Sequence, residues 1–252
     1  MTIPTGIERV LRRLETRGPL SEPDRAAVRS LPFTLRTLEP STYLVREGEP
    51  SKTCALLLGG FAYRHKVTGE GERQIMALHM RGEFLDLQNC YLGIADHNVQ
   101  MLTRCEIASV PSAALRKLAL DHPAAGRAMW IDTLIDASIF REWIANVGRR
   151  NSISRISHLL CEVALRLEAA GLGEDDRYEM PMTQEQIADC TGLTPVHVNR
   201  VLKELGRLGL IDRERRSVSI LNWEGLRHIG DFNTRYLHLQ AGGPTNPASA
   251  AA

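Results

Sequence analysis

The sequence predicts an α+β chain of three successive parts. A small all-β sandwich or barrel comes first, one long helix follows, and a C-terminal helix-turn-helix with a wing closes the chain. Three observations predict this order. From Phe33 to Pro111, apolar and polar residues alternate with period two, and glycines punctuate the run at Gly48, Gly59, Gly60, Gly69, Gly71 and Gly82. From Pro123 to about Gly148 the apolar spacing is helical and unbroken. From Thr183 to Leu205, "TQEQIADCTGLTPVHVNRVLKEL" reads as two short helices around a glycine.

Composition bounds what such a chain can be. It has 252 residues, 43% hydrophobic and 24% charged, which is the balance of a folded globular protein. The formal net charge is +1, so any surface for nucleic acid must be a local patch. The N-terminus, "MTIPTGIERVLRRLETR", has no uninterrupted apolar core and does not read as a signal peptide. No apolar run approaches the ~20 residues of a membrane span. The five cysteines, Cys54, Cys90, Cys105, Cys161 and Cys190, are scattered and odd in number, as expected of reduced thiols in the cytoplasm. None of them is paired at the close spacing of a zinc or iron–sulfur site.

Two short helices are expected between residues 5 and 30. Ile7, Val10, Leu11 and Leu14 stand at helical spacing in the first. Ser21 is placed to cap the second, with Pro23 in its first turn. Within the β-rich stretch, Phe61, Tyr63, His65 and Val67 alternate with Ala62, Arg64 and Lys66, and "VTGEGER" is a hairpin turn leading into "QIMALHM". "PSAALRKLALDH" is a short helix. The long helix after it spans roughly 26 residues, or ~39 Å. Ile131, Leu134, Ile135, Ile139 and Trp143 form one stripe on it, while Trp130, Phe140 and Ile144 are apolar on other sides. A helix apolar over most of its circumference must be covered on more than one side. The β-domain can cover one, and a second copy of the helix another, which makes that stripe the expected homodimer seam. "GRR" at Gly148–Arg150 is the expected hinge into a further helix through Ile153, Ile156, Leu159, Leu160 and Val163, which "AGLGEDD" ends. The resulting domains are 1–122, 123–148 and 149–235, with 236–252 a disordered tail.

The helix-turn-helix carries the chemistry. Thr183 and Gln186 make a capping box, Gly192 supplies the turn, Thr194 caps the second helix and Pro195 opens it. Val198, Val201, Leu202 and Leu205 form its buried side. Val196, His197, Asn199, Arg200 and Lys203 then point outward, on the helix that enters the major groove in this motif. Arginine forks onto guanine, asparagine onto adenine, and Val196 can touch a thymine methyl. Lys203 and Arg207 are placed for phosphates. "LIDRERRSVSIL" reads as a two-stranded wing, with Arg213, Arg215 and Arg216 near its tip also facing phosphate and Asp212 and Glu214 partly neutralising them.

In this order of parts the chain resembles the CRP/FNR family of bacterial transcription regulators over nearly its whole length. "YLVREGEPSKTCALLLGGFAYRHK" is similar to the family's first roll strands, "RGEFLDL" to its "GDFIGE"-type segment, and "TRCEIASVP" to the strand before its dimer helix. The resemblance implies a double-stranded β-helix (jelly-roll, cyclic-nucleotide-binding-like) domain, a dimerisation helix, and a winged helix-turn-helix that binds promoters. It also implies that Arg200 matches the family's recurrent base-reading arginine. Where many members carry a glutamate, often beside a second arginine, this chain has Val196 and Pro195, so a different DNA site is expected.

The resemblance also defines what is missing. Members that bind cyclic AMP carry a glutamate and an Arg-Ser pair for the phosphate and ribose. Between Gly82 and Val99 this chain reads "GEFLDLQNCYLGIADHNV", with no arginine and with Asp86 and Asp96 instead. A cyclic phosphate buried there without a cation would cost several kcal/mol. No cofactor is therefore expected: the segment argues against a cyclic nucleotide. The N-terminal cysteine cluster of the iron–sulfur members is absent. His65, His79 and His97 are weaker as haem ligands than as hydrogen-bonded histidines, and neither Cys90 or Cys105 as a redox switch nor His158 with Cys161 as a metal site is favoured. No nucleophile–base set or metal triad indicates an enzyme. The expected partners are double-stranded DNA with a palindromic site and a second copy of the chain, with RNA polymerase a candidate and no membrane. The alternative is a small-molecule or redox sensor, or a protein-interaction module, that binds DNA weakly.

Overall fold

The computed structural model describes residues 6–172, 177–214 and 216–239. Helices α1 (Gly6–Glu15) and α2 (Glu22–Arg29) lead into strands β1 (Thr34–Leu38), β2 (Tyr43–Val45), β3 (Thr53–Gly59), β4 (Ala62–Val67) and β5 (Arg73–His79). Helix α3 (Asn89–Leu92), strands β6 (Asn98–Met101) and β7 (Cys105–Pro111), and helices α4 (Ser112–Asp121), α5 (Pro123–Arg149) and α6 (Ser152–Ala169) follow. The chain ends through β8 (Arg177–Glu179), α7 (Gln184–Thr191), α8 (Pro195–Arg207), β9 (Ile211–Glu214), β10 (Ser217–Ile220), α9 (Trp223–Ile229) and a 3-10 turn (Arg235–Leu237). Two compact units divide between Ala137 and Ser138.

The N-terminal unit is built on two antiparallel sheets, ordered β1-β7-β3 and β2-β6-β4-β5. Their inner faces share one core, with Leu38, Ala55, Leu57 and Ile107 from one sheet against Val45, Ala62, Val99 and Met101 from the other. The opposite side of β3, Cys54 and Leu56, packs with Val10 and Leu14 of α1, Val28 of α2, Leu115 of α4 and Ala125 and Met129 of α5. Being covered on both faces explains why "CALLL" is an unbroken apolar run rather than an alternating one. Ser21 caps α2 as expected, and Asp24 completes it as a reciprocal capping box. The hairpin after Val67 is also as expected. There the Thr68 N–H donates to Glu72 O at 2.9 Å, and Gly71 takes φ +86°, a left-handed conformation that glycine adopts without Cβ strain.

Helix α5 runs for 27 residues, and it corrects the expected seam. Ile135, Ile139 and Trp143 are buried by the chain itself, and Ile131 is half-buried. Of the five expected residues only Leu134 is exposed, and the exposed large apolar residues of α5 are Trp130, Leu134 and Ile144, at 63, 48 and 72%. Apolarity marked the covered faces of α5, but could not say which of them faces its own chain.

The C-terminal unit begins inside α5, before the expected hinge. Its Trp143 indole N–H donates to both Glu162 carboxylate oxygens, at 3.1 and 3.0 Å, and its Asn146 side chain donates to Arg155 O at 3.2 Å. Asn151 then caps α6 by accepting from the Ser154 N–H at 3.0 Å. The wing has three strands, ordered β8-β10-β9, where two were expected. Three residues of β8 are too short a run to carry a periodic signal. The expected disordered tail, 236–252, is ordered where it is described, over 236–239. Tyr236 and Leu237 are buried, and Phe232 meets His158 edge-on at 5.0 Å. Residues 240–252 of that tail lie outside the described residues.

Candidate nucleic-acid interface

Helices α7 and α8 are fixed against each other by local chemistry. Thr183 and Gln186 close the capping box of α7. Gly192 then turns the chain at φ +62°, and a Cβ there would stand 3.0 Å from Val147 Cγ1. Arg155 of α6 holds that turn from behind, with Nη1 donating to Thr191 O at 2.9 Å and Nε to Arg150 O at 2.8 Å. This role was not legible in the sequence, because the Thr191 carbonyl lies 36 residues from Arg155 in the chain. Thr194 caps α8, accepting from the His197 N–H at 3.3 Å, and its hydroxyl lies 3.0 Å from His197 Nδ1.

Val198, Val201, Leu202 and Leu205 are buried, as α8's apolar spacing requires. The other side is open. Val196 is 80% exposed, His197, Arg200 and Lys203 are exposed, and Asn199 is half-buried. Arg200 and Lys203 have no hydrogen-bond or ion-pair partner among the described residues. Arg207 differs, since its guanidinium pairs with Glu204 at 2.7 Å. That exposed pair is weak enough to exchange for a phosphate.

On the wing, Arg213 is half-buried and Arg216 exposed, while Arg215 lies outside the described residues. Glu214 pairs with Arg177 of β8 at 2.9 Å, and Arg177 also donates to Ser217 Oγ. Glu214 is thus balanced by a residue that sequence reasoning missed, not by Arg213 or Arg216. Strand β8 brings that further cation to the wing.

The roll segment that the cyclic-nucleotide argument turned on is closed on itself. Asp86, 1% exposed, accepts from Gln88 Nε2 at 2.9 Å and from Asn89 Nδ2, and lies 3.1 Å from His97 Nε2. His97 Nδ1 is 2.5 Å from Asp96 Oδ1, and this bond holds the Asp96 carboxyl below its usual range. A cation does stand beneath the segment, supplied from β4 rather than from within it. Buried Arg64 donates to Leu85 O at 3.0 Å and pairs with Asp136 at 2.8 Å. His79 sits 3.6 Å from Glu83, and burial pushes its imidazole below the ordinary value.

The remaining candidate ligands are core residues. All five thiols are buried and free of disulfides, and burial raises the Cys161 thiol. His158 Nδ1–H donates to Gly230 O at 3.2 Å, and its Nε2 lies 3.0 Å from the Tyr236 hydroxyl. That hydroxyl donates to Glu162, which also accepts from Arg166 Nη1 at 2.8 Å. Among the described residues no group of three or more His, Cys, Asp and Glu is arranged to hold a metal ion.

Residues 154–229 match the Crp-like helix-turn-helix domain, and residues 35–122 match the cyclic nucleotide-binding domain. A "Probable transcriptional activator" of Rhizobium leguminosarum bv. viciae is 24% identical over 196 residues, 78% of each chain. The "Probable transcriptional regulator flp" of Lacticaseibacillus casei is 26% identical over 211 residues, covering 82% of this chain and 91% of its own. FixK2 from Bradyrhizobium japonicum shares the fold at a TM-score of 0.74 and 22% identity, over 79% of this chain and 98% of that one.

Proposed function

Because the chain belongs to the CRP/FNR family of transcription regulators and is a DNA-binding regulator by that membership, we propose that it works as a homodimer on a palindromic promoter site, reading bases with the outer face of α8. The observation that carries this is the pair of exposed cations, Arg200 and Lys203, without partners among the described residues, on the side of α8 opposite its buried valines and leucines. Arg200, one turn beyond Val196, forks onto a guanine, Asn199 reads an adenine, and Lys203, Arg207, Arg213 and Arg216 neutralise phosphates. Two inverted half-sites lie about one helical turn, ~34 Å, apart.

Selection of bound sequences from random DNA, followed by binding to the selected site across a range of salt, tests this reading. Affinity should fall steeply with salt as several phosphate counterions are released. No enriched sequence, or a shallow slope, would favour a sensor or interaction module that binds DNA weakly.

The dimer seam is the exposed stripe Trp130, Leu134 and Ile144, joined by half-buried Ile131. Leu134→Asp should weaken self-association in sedimentation by placing an unpaired charge there. A monomeric unmodified chain would sink the idea. The Asp86 carboxylate, already engaged by Gln88, Asn89 and His97, supports a roll that takes no cyclic nucleotide, so calorimetry with cyclic AMP and cyclic GMP should show no micromolar isotherm. The roll is not a haem or iron–sulfur domain in this reading. The chain acts in the cytoplasm, with RNA polymerase a further partner and no catalytic role. Its free thiols are consistent with that compartment, and no described helix is long and apolar enough to cross a membrane.

A further inference from the structure

The contact between Thr194 and His197 fixes more than a helix end. Thr194 Oγ1 already accepts the His197 backbone N–H at 3.3 Å, and the His197 Nδ1 lies 3.0 Å from the same oxygen. A hydroxyl has one proton and two lone pairs. Accepting the backbone N–H polarises the Thr194 O–H and strengthens its donation. His197 Nδ1, 3.0 Å away, is within reach of that proton. The N-terminus of α8 adds a positive field that favours a lone pair there over an N–H.

We infer that Thr194 is a positioning residue that sets the tautomer of neutral His197, so that Nδ1 is an acceptor turned inward and Nε2–H the donor presented to DNA. In this form His197 is a one-sided reader. An Nε2–H bonds to acceptor edges in the major groove, namely guanine O6 and N7, adenine N7 and thymine O4. It finds no acceptor on cytosine, whose groove edge offers only the N4 amino group. The chain should therefore discriminate against cytosine at the base that His197 meets. This deepens the DNA-reading role proposed above and rests on it for its second half only.

The first half is tested without DNA. In the full chain with 15N-labelled histidine, at about pH 8 where an ordinary imidazole is neutral, two-bond nitrogen–proton correlations report which ring nitrogen carries the proton. His197 should show a protonated Nε2 and a bare Nδ1. Thr194→Ser should keep that pattern and Thr194→Ala should blur it toward a mixture, with the other histidines unchanged. A protonated Nδ1 in the unmodified chain, or an unchanged pattern in Thr194→Ala, overturns the inference. The second half uses single-base variants of the selected site. Cytosine at the position sensitive to His197→Ala should bind roughly five- to tenfold more weakly than guanine or thymine. Thr194→Ala should flatten that preference, Thr194→Ser should restore it, and the preference set by Arg200 should remain in both. The expected tautomer without any such preference overturns the reading role of His197. Failure of the unmodified chain to select any sequence overturns the DNA-reading proposal instead, while the nitrogen spectrum still decides the tautomer.

Discussion

The outer face of α8 and the roll segment from Gly82 to Val99 are both rich in polar side chains, and they dispose of them in opposite ways. On α8, Arg200 and Lys203 are exposed, with no partner among the described residues. In the roll, Asp86 gathers Gln88, Asn89 and His97, His97 spans to Asp96, and Lys66 closes the edge by donating to Asp96 O at 2.7 Å. Side chains already engaged with one another must give up those bonds before they can bind anything else. Exposed cations without partners lose only water. The difference supports the proposed reading of α8 as a face for an outside partner and of the roll segment as one that serves its own fold.

The largest expected effect breaks the closed side. Asp86→Ala would leave Asn89 and His97 without their buried acceptor, costing about 3 kcal/mol of stability. Urea unfolding of the full chain measures it, and a loss below about 0.5 kcal/mol would show that the cluster is not held as described. On the open side, Arg200→Ala should cost about 1–3 kcal/mol of binding at the selected site and relax preference at one base pair. Its unfolding midpoint should stay where it is, since no bond within the chain is lost. Equal loss on every base variant would make Arg200 a phosphate contact.

A smaller effect comes from pH, and it touches both units. Burial holds His79 below its ordinary value, as do burial and then the Arg150 charge for His158. For each, the unfolded chain takes up its proton first as pH falls below about 6.5, so stability should be full above that value and decline beneath it. Urea midpoints between about pH 7.5 and 5.5 should fall with acid, and His79→Gln and His158→Gln should each lessen the slope. A flat or rising midpoint would mean that neither imidazole is held neutral. The smallest change belongs to Lys203→Ala, which should weaken all sequences alike and reduce the salt slope by about one. A base-selective loss would move Lys203 into the reading set.

What could be read from the sequence was local. The cap at Ser21, the capping box at Thr183, the Gly71 hairpin, and the Gly192 turn each declare themselves within four or five residues, and the structure places all of them. The outward residues of α8 were legible for the same reason, because the buried Val198, Val201, Leu202 and Leu205 define the opposite face. Features that depend on distant partners were not legible. Asp136, which neutralises Arg64, lies 72 residues further on, and Tyr236, which donates to Glu162, lies 74 residues away. The side of α5 that meets its own chain is a property of packing, so Ile135, Ile139 and Trp143 could pass for a seam. Arg177 was hidden by the brevity of β8.

Glu162 is 0% exposed and takes donors from Trp143, Arg166 and Tyr236. Two of those donors lie outside residues 154–229, where the likeness to the Crp-like domain begins and ends. The stretch recognisable by descent is therefore shorter than the stretch that folds as a unit. A stop codon after Ile229 would remove Phe232, Tyr236 and Leu237, strip a donor from a buried carboxylate, and let water in beside His158. The damage would look like a loss of DNA binding although every exposed residue of α8 was still present. A stop after Leu239 would spare all of these contacts. Tags, fusions and nonsense alleles near the C-terminus sort on either side of that ten-residue margin, and their effects should be read as effects on folding before any is assigned to recognition.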